Sequence, residues 1–135
     1  MRLVADANVL LSAVLGGAAA RVLRHPRVEA VMAPAPVLDE VHEFALVLAR
    51  ERGLRLETLL TAVVTLPVTL VDRDEYAASR PEATRRMARR DPDDVETLAL
   101  ALHLELAVWS NDDDFRGMDV PWYTTARLRK ALDAR

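Results

Sequence analysis

Short apolar runs alternate along the chain with longer segments in which apolar residues recur at helical spacing, a pattern typical of strands alternating with helices. The first run ends at Asp6, and Val9, Leu10 and Val14 then share one face of a helix. Short runs bounded by proline or acidic residues are typical of buried strands. The predicted strands are residues 2–5, 28–33, 68–71, 106–109 and 120–123.

Glycine and proline mark most of the predicted helix boundaries. Gly16-Gly17 breaks the first helix, Pro36 opens another because proline is tolerated in a first turn, and Gly53 ends that helix. Asp91-Pro92-Asp93-Asp94 is the strongest helix start in the chain, with an N-cap residue, a proline and first-turn acids. The predicted helices are residues 9–15, 20–23, 37–50, 54–66, 74–90 with an interruption at Pro81, 91–106, and a last one capped by Thr125 that ends at 132.

Alternation of strands and helices predicts an α/β fold in which right-handed crossovers place helices on both faces of a parallel sheet. With 135 residues, the chain has the size of a single domain, and we expect one domain over residues 1–135. Apolar residues make up 51% of it, yet no run reaches the ~20 residues of a membrane span, and Asp6 interrupts any signal-like start. We therefore expect no membrane association and, by default, a cytoplasmic protein.

Composition restricts the chemistry. The absence of cysteine excludes disulfides, thiolate zinc sites and cysteine nucleophiles, so a metal would be held by oxygen or imidazole. The three histidines, His25, His42 and His103, have no ligand spacing and are expected to be structural or exposed. A net charge of −3 argues against nucleic-acid binding through the overall field of the protein.

Arginines form one local basic concentration, at positions 80, 85, 86, 89 and 90, immediately before the acidic helix start. Such a run is usually a solvated helix face. However, an acidic site that admits a polyanion benefits from neighbouring cations, and arginine pairs well with phosphate. Both interpretations stay open, and the substrate-binding one assigns Arg85, Arg86, Arg89 and Arg90.

Acidic residues follow two of the predicted strands directly. Ligand sites of such sheets lie beyond the carboxyl ends of the strands, where the strand order reverses. Asp6 follows the first strand and Asn111-Asp112-Asp113-Asp114 follows the fourth. If the order is 3-2-1-4-5, these strands are neighbours, and the helix start at Asp91–Asp94 lies at the same edge.

Glu40 is expected at this edge for a different reason. It lies three residues after Val37 and four before Phe44, so it shares their helix face, whereas Asp39 and Glu43 point to the polar side. A carboxylate among apolar neighbours needs a partner, because an unpaired buried charge is very costly. A metal ion shared with other acids would be such a partner.

Converging carboxylates without nearby lysine or arginine raise one another's pKa, so a hard divalent cation would stabilise the cluster. Ligands that are all oxygen favour Mg²⁺ or Mn²⁺, which keep water molecules and accept phosphate oxygens. Such ions activate water for attack on a phosphodiester. The acids therefore indicate hydrolysis of a nucleic-acid backbone.

Four segments, in order along most of the chain, resemble the motifs of the PIN-domain family. Val4-Ala5-Asp6-Ala7-Asn8-Val9-Leu10 is similar to the family's opening, and Pro36-Val37-Leu38-Asp39-Glu40-Val41 is similar to its second motif. Asp91-Pro92-Asp93-Asp94 with the following Leu98-Ala99-Leu100-Ala101 resembles the third, and Trp109-Ser110-Asn111-Asp112-Asp113-Asp114-Phe115 the fourth. Two departures, Ala7 and Ser110 where threonine is common, leave the acids unchanged.

This resemblance implies a Rossmann-like three-layer α/β/α fold and a Mg²⁺- or Mn²⁺-dependent endoribonuclease acting on RNA. It also implies a homodimer and, in many members, the toxin of a VapC-type pair with an antitoxin protein. By position, Asp6, Glu40, Asp94 and Asp112 take the catalytic places, with Asp6, Asp94 and Asp112 as metal ligands. Asn8, Ser110 and Asp114 would be auxiliary residues.

Alternative roles stay open for single residues, and alternative families for the whole chain. For Asp91 and Asp93 we prefer simple roles as an N-cap and a first-turn acid. Trp109 is expected in the core. Phosphoaspartate receivers and haloacid-dehalogenase-type phosphatases also place an aspartate after the first strand, but they use a lysine near the site, and Lys130 in the last helix is the only lysine. A non-catalytic PIN module that binds RNA or a protein is the remaining alternative.

Overall fold

A parallel sheet of five strands forms the centre of the structure, a computed structural model that describes residues 1–134. The strand order is β3-β2-β1-β4-β5, which is the order on which the expected site at the sheet edge depended. All four strand pairings are parallel. The strands are β1 (Arg2–Ala5), β2 (Ala30–Pro34), β3 (Thr69–Val71), β4 (Ala107–Trp109) and β5 (Trp122–Tyr123).

Helices cover both faces of the sheet, which confirms the predicted α/β/α class. The α-helices are α1 (Ala7–Leu15), α2 (Gly17–Leu23), α3 (Val37–Arg52), α4 (Leu56–Val64), α5 (Arg73–Tyr76), α6 (Arg80–Arg86), α7 (Val95–Leu104) and α8 (Thr125–Asp133). Three 3₁₀ turns lie at Ala77–Ser79, Pro92–Asp94 and Asp113–Phe115. Among residues 1–134, no helix combines the length and the apolar character needed to cross a lipid bilayer.

Two hydrophobic cores lie on opposite faces of the sheet, because successive strand residues point to opposite sides. Leu3 and Ala5 of β1 belong to the core beneath α1 to α4 and α8, and Val4 belongs to the core beneath α5 to α7. All three are fully buried. The central strand is therefore covered on both sides, which explains why residues 3–5 are all apolar.

Several predicted boundaries need correction. The helix predicted over 91–106 begins as a 3₁₀ turn, continues as α7 and ends at Glu105, which takes a left-handed conformation. The cap of α8 is Thr124, which accepts from the Arg127 N–H, and not Thr125. The segment predicted as helix over 74–90 is divided by the 3₁₀ turn Ala77–Ser79 and ends as helix at Arg86, and Pro81 lies in the first turn of α6, where proline is tolerated. The predicted break at Gly16-Gly17 is present but shorter, because α1 ends at Leu15 and α2 begins at Gly17 and not at residue 20.

Trp109 lies at the end of β4 and is fully buried, which confirms its predicted place in the core. Its indole Nε1–H donates to Thr125 Oγ1 at 3.0 Å. Thr125 is also buried, so the indole N–H depends on this partner in place of solvent. This bond joins the sheet to the first residue of α8.

We expect Thr125→Val to lower the free energy of unfolding by about 1–3 kcal/mol, because the buried indole N–H loses its acceptor while the side-chain shape is kept. Urea unfolding measures the change. As a control, Thr65→Val removes an exposed hydroxyl and should cost less than about 0.5 kcal/mol. Equal losses in the two variants would contradict the prediction.

Candidate active site at the carboxyl edge of the sheet

Asp6 lies between β1 and α1 and is 6% exposed. One carboxylate oxygen accepts from the Val9 N–H at 2.9 Å, which caps α1, and the other accepts from the Ser110 hydroxyl. Burial raises the pKa of Asp6, and the charge of Asp112 raises it further, although the two hydrogen bonds oppose this. Two hydrogen bonds thus fix Asp6 in position, while its burial disfavours the ionised carboxylate.

Ser110 connects the first acid to the loop after β4. This fully buried residue donates to Asp6, and its Oγ accepts from the Asp112 N–H at 3.0 Å. An Asp112 oxygen in turn accepts from the Asp114 N–H at 3.0 Å and caps the turn Asp113–Phe115. A chain of hydrogen bonds therefore holds Asp6, Asp112 and Asp114 at one edge of the sheet.

Asp91, Asp94 and Asp114 each offer a carboxylate oxygen within 4.8 Å of the other two. Asp94 is 9% exposed, and its Oδ2 is buried without a hydrogen-bond partner among residues 1–134. Burial raises the pKa of Asp94 to about 8, and the Asp114 carboxyl and the charges of Asp112, Asp6 and Asp91 act in the same direction. The three acids thus surround a position that favours a cation.

Asp91 has two roles in this arrangement. It accepts from the Asp93 N–H at 2.9 Å and so caps the turn Pro92–Asp94, as expected. It also belongs to the acidic cluster, which sequence reasoning missed because an N-cap pattern alone explains an aspartate before proline.

Arg90 fastens the two acidic segments to each other. Its Nη1 donates to the backbone oxygens of Asp114 at 2.6 Å, Arg116 at 2.7 Å and Asp113 at 3.3 Å. The residue that precedes Asp91 therefore holds the loop that carries Asp114. Arg86 supports the same loop from α6, since its Nη1 donates to the Met118 oxygen at 2.6 Å.

Glu40 lies on the first turn of α3, half-buried, beside the other acids. Its expected apolar surroundings are wrong in part: Val37 is buried, but Phe44 is 37% exposed and the buried stripe continues through Val41 and Ala45 instead. Burial raises the pKa of Glu40 to about 7, helped by the charges of Asp93, Asp6, Asp91 and Glu43. Glu40 therefore lacks favourable neighbours mainly because it is partly buried close to other acids, and less because apolar side chains surround it.

The remaining predicted residues lie around this cluster. Asn8 is exposed on α1, and the bonds to Asp6 come from Val9 and Ser110. Arg85 pairs with Glu82, which also accepts from Arg86 at 2.9 Å, and Arg89 is exposed. The arginine run is thus partly engaged within the protein. His25 accepts from the Arg27 N–H through Nδ1, which agrees with a structural role.

A cleft of about 520 Å³ adjoins the acids. Glu40 and Asp93 line one part of it, and Arg73, Arg80 and Glu96 line another. Arg73 and Glu96 escaped sequence reasoning, because no motif includes them and their pairing joins segments 23 residues apart.

The donor set fits a hard divalent cation. The cluster has only oxygen atoms to offer, as Mg²⁺ and Mn²⁺ prefer. The buried Asp94 oxygen lacks a hydrogen-bond partner within residues 1–134, and burial together with neighbouring acids raises the pKa of Asp94, Asp6 and Glu40. A cation there would satisfy the oxygen and remove the repulsion.

Comparison with known proteins gives a family and a fold. The family model of the PIN domain matches residues 4–133. No curated protein sequence is significantly similar to the chain.

Among solved structures, FitAcB from Neisseria gonorrhoeae is similar with a TM-score of 0.68 at 18% identity, over 92% of this chain and 98% of that one. VapBC2 from Rickettsia felis, bound to a promoter DNA fragment, gives 0.65 at 12% identity over the same shares. VapC20 from Mycobacterium tuberculosis, a toxin that cleaves the sarcin-ricin loop, gives 0.61 at 17% identity over 87% of this chain and 95% of that one.

The raised pKa values predict how the stability of the metal-free protein depends on pH. Asp94 and Glu40 have folded-state pKa values above their ordinary ones. At a pH between the unfolded-state and the folded-state pKa of either group, the folded protein therefore binds more protons than the unfolded protein. Their stabilising contribution is complete below the unfolded pKa and is lost as pH rises through about 7 to 8. In EDTA, the melting temperature should therefore fall between about pH 5 and pH 8.5.

Asp94→Asn should flatten this decline, because the substitution removes the group with the larger shift. The measurement is a series of thermal melts of both proteins in EDTA across this range. Parallel pH profiles for the wild type and the variant would contradict the assignment.

Proposed function

The chain belongs to the PIN-domain family, and we propose that it is a divalent-metal-dependent ribonuclease that hydrolyses RNA phosphodiester bonds. The observation that carries the proposal is the buried, unpartnered Oδ2 of Asp94 beside the carboxylates of Asp91 and Asp114. An acid that is buried without a protein cation is destabilising unless something else neutralises it. A metal site is the simplest reason to keep it.

For the metal ligands we propose the set that the family resemblance implies, Asp6, Asp94 and Asp112. Asp91 and Asp114, which offer carboxylate oxygens within 4.8 Å of Asp94, would be additional acids at the same site. When bound, Mg²⁺ or Mn²⁺ would activate a water molecule for attack on a phosphodiester and stabilise the departing oxygen. Ser110 keeps Asp6 and the Asp112 backbone in place, and Asn8 stays a proposed auxiliary residue at the rim. Glu40 lines the cleft and lies near enough to Asp93, Asp6 and Asp91 to sense their charges, and we propose that it faces the reacting phosphate.

The arginine run takes two different parts in this proposal. Arg86 and Arg90 donate to the backbone of residues 113–118 and so position the loop that carries Asp114. Arg85 and Arg89 are exposed, and we propose that they contact RNA beside the acids. Their charges would offset the acidic field that the polyanion has to approach.

We further propose that the protein acts in the cytoplasm as the toxin of a toxin-antitoxin pair, as a homodimer that binds an antitoxin protein. The neighbours named VapBC2 and FitAcB, with similar folds over nearly their whole length, support this role. Exposed apolar side chains on the early helices and the β3 edge, including Val64 at 76% and Val47 at 51%, are consistent with protein contacts.

Purified protein should cleave single-stranded RNA when Mn²⁺ is supplied, and Asp6→Asn or Asp112→Asn should abolish cleavage, because each loses an anionic ligand. Asp119→Asn is the matched control: Asp119 is exposed and has a positive φ of 57° that asparagine tolerates. Cleavage is followed on a labelled RNA by gel, and folding by circular dichroism. Equal cleavage by the wild type and the Asp6 variant would reveal a contaminating nuclease, and no cleavage by the folded wild type would favour a non-catalytic PIN module.

Millimolar Mn²⁺ should raise the melting temperature of the wild type, because a ligand that binds only the folded state stabilises it. The same Mn²⁺ should have little effect on Asp94→Asn, which keeps the shape of the site and loses a charge. Thermal melts with and without EDTA test this. An equal rise in both proteins would show that Mn²⁺ binds elsewhere.

A further inference from the structure

Glu96 on the first turn of α7 joins two arginines from two other helices. Its Oε1 accepts from Arg73 Nε at 2.7 Å and from the Tyr76 hydroxyl at 3.0 Å, and its Oε2 accepts from Arg80 Nε at 2.9 Å. Arg73 and Tyr76 lie on α5, and Arg80 lies on α6. Both oxygens of one carboxylate therefore fix two guanidinium groups side by side.

The group keeps a positive charge. The Glu96 side chain is 13% exposed, and its carboxylate lies between the guanidinium groups of Arg73, at 2.7 Å, and Arg80, at 2.9 Å. One carboxylate is thus shared by two arginines. With both guanidinium groups protonated, two positive charges face one negative charge.

Each arginine uses only part of its donor set within the protein. Arg73 and Arg80 donate to Glu96 through Nε, and no hydrogen bond joins their Nη groups to residues 1–134. The side chains remain 52% and 39% exposed. Guanidinium Nη–H groups bind phosphate oxygens well, and a fixed guanidinium loses less side-chain entropy on binding.

The position of the pair relates it to the acids. Arg73 and Arg80 are the only cationic side chains among the described residues that line the 520 Å³ cleft, whose acidic lining residues are Asp39, Glu40, Glu43, Asp93 and Glu96. The two arginines are therefore the groups in this cleft that can bind a phosphate, and a phosphate held there would lie in the same cleft as Glu40.

We propose that Arg73 and Arg80, positioned by Glu96, bind a backbone phosphate of single-stranded RNA next to the phosphate that is cleaved. This inference rests on the proposed function for the identity of the ligand. In it, the arginines contact substrate, whereas Glu96 and Tyr76 are positioning residues. A purely structural role, in which the ion pairs only join α5, α6 and α7, is the alternative that the experiment has to exclude.

The test measures binding of a fluorescein-labelled 12-nucleotide oligouridine by fluorescence polarisation, in an Asp6→Asn background that does not cleave it. Adding Arg73→Gln and Arg80→Gln should raise Kd by about tenfold at low salt and reduce the slope of log Kd against log salt by about 0.7 for each phosphate that is no longer neutralised. Arg50→Gln with Arg52→Gln, on exposed positions at the far end of α3, makes the same change in net charge and should alter both quantities much less. Equal effects of the two pairs would overturn the proposal, because the overall field would then explain binding.

Glu96→Gln separates positioning from simple charge. If only the overall charge matters, removing the negative charge of Glu96 should tighten RNA binding. If Glu96 positions Arg73 and Arg80, its loss should weaken RNA binding by several-fold and reduce the slope of log Kd against log salt. Tighter binding by folded Glu96→Gln would overturn the positioning role. Arg73→Lys with Arg80→Lys keeps both charges and their pairing with Glu96, so this variant tests the proposal even if the glutamine variants unfold. Weaker RNA binding at an unchanged melting temperature would support recognition of phosphate by the planar guanidinium groups. Unchanged binding would argue against it.

Cleavage kinetics in the Asp6 wild-type background then distinguish this inference from the proposed function. Arg73→Gln with Arg80→Gln should raise KM and leave kcat within about threefold, because the pair binds a phosphate that does not react. If the wild type binds oligouridine through the arginines but never cleaves it, the nuclease proposal fails and the phosphate site stands. If the wild type cleaves RNA and the arginine variants match it in Kd and KM, the phosphate site fails and the nuclease proposal stands.

Discussion

Repulsion among buried carboxylates is the constraint on which the rest of this structure depends. Asp6, Asp94 and Glu40 all have pKa values raised by burial and by one another or by neighbouring acids. Acids placed this way oppose folding, so other interactions have to hold them. The fully covered β1, the Ser110 bond to Asp6 and the Arg90 contacts to the 113–116 loop are the ones that do so. These interactions thus hold the carboxyl edge of the sheet together although the acids at that edge repel one another.

Sequence reasoning reached the fold because its main signals are local. The buried run at residues 2–5 and the helix boundary at Gly53 correspond to the observed elements within one or two residues. The strand order 3-2-1-4-5, on which the expected site at the sheet edge depended, is confirmed, and β1 pairs with both β2 and β4. The errors lie at the ends of elements: the helix predicted to residue 90 ends at Arg86, and the strand predicted over 120–123 spans Trp122–Tyr123. At helix ends, 3₁₀ and α geometry compete over a few residues, and a sequence pattern does not separate them.

Only part of the candidate site could be predicted from such local sequence patterns. Asp6 and Asp112 follow strands directly, so the topology alone brings them to one edge. The pattern around Asp91 predicted only an N-cap, although Asp91 also belongs to the acidic cluster. Phe44 was expected to be buried, but helical spacing shows only which residues share a helix face and does not show whether another element packs against that face. The Arg73 and Arg80 contacts with Glu96 depend on the packing of three short helices, and no local pattern encodes that.

Asp94 and Glu96, two residues apart, show how the same chemical group is treated in opposite ways. Three donors surround the Glu96 carboxylate and lower its pKa, whereas the Asp94 oxygens face other acids and its pKa rises to about 8. Arginines are available nearby, since Arg90 lies just before Asp91 and yet donates to backbone oxygens. The nearby arginines therefore pair with Glu96 beside the cleft and with the backbone of the 113–116 loop, and within residues 1–134 none pairs with Asp6 or Asp94. Such a division is costly for stability alone and is understandable if the inner acids receive their positive charge from a bound metal ion.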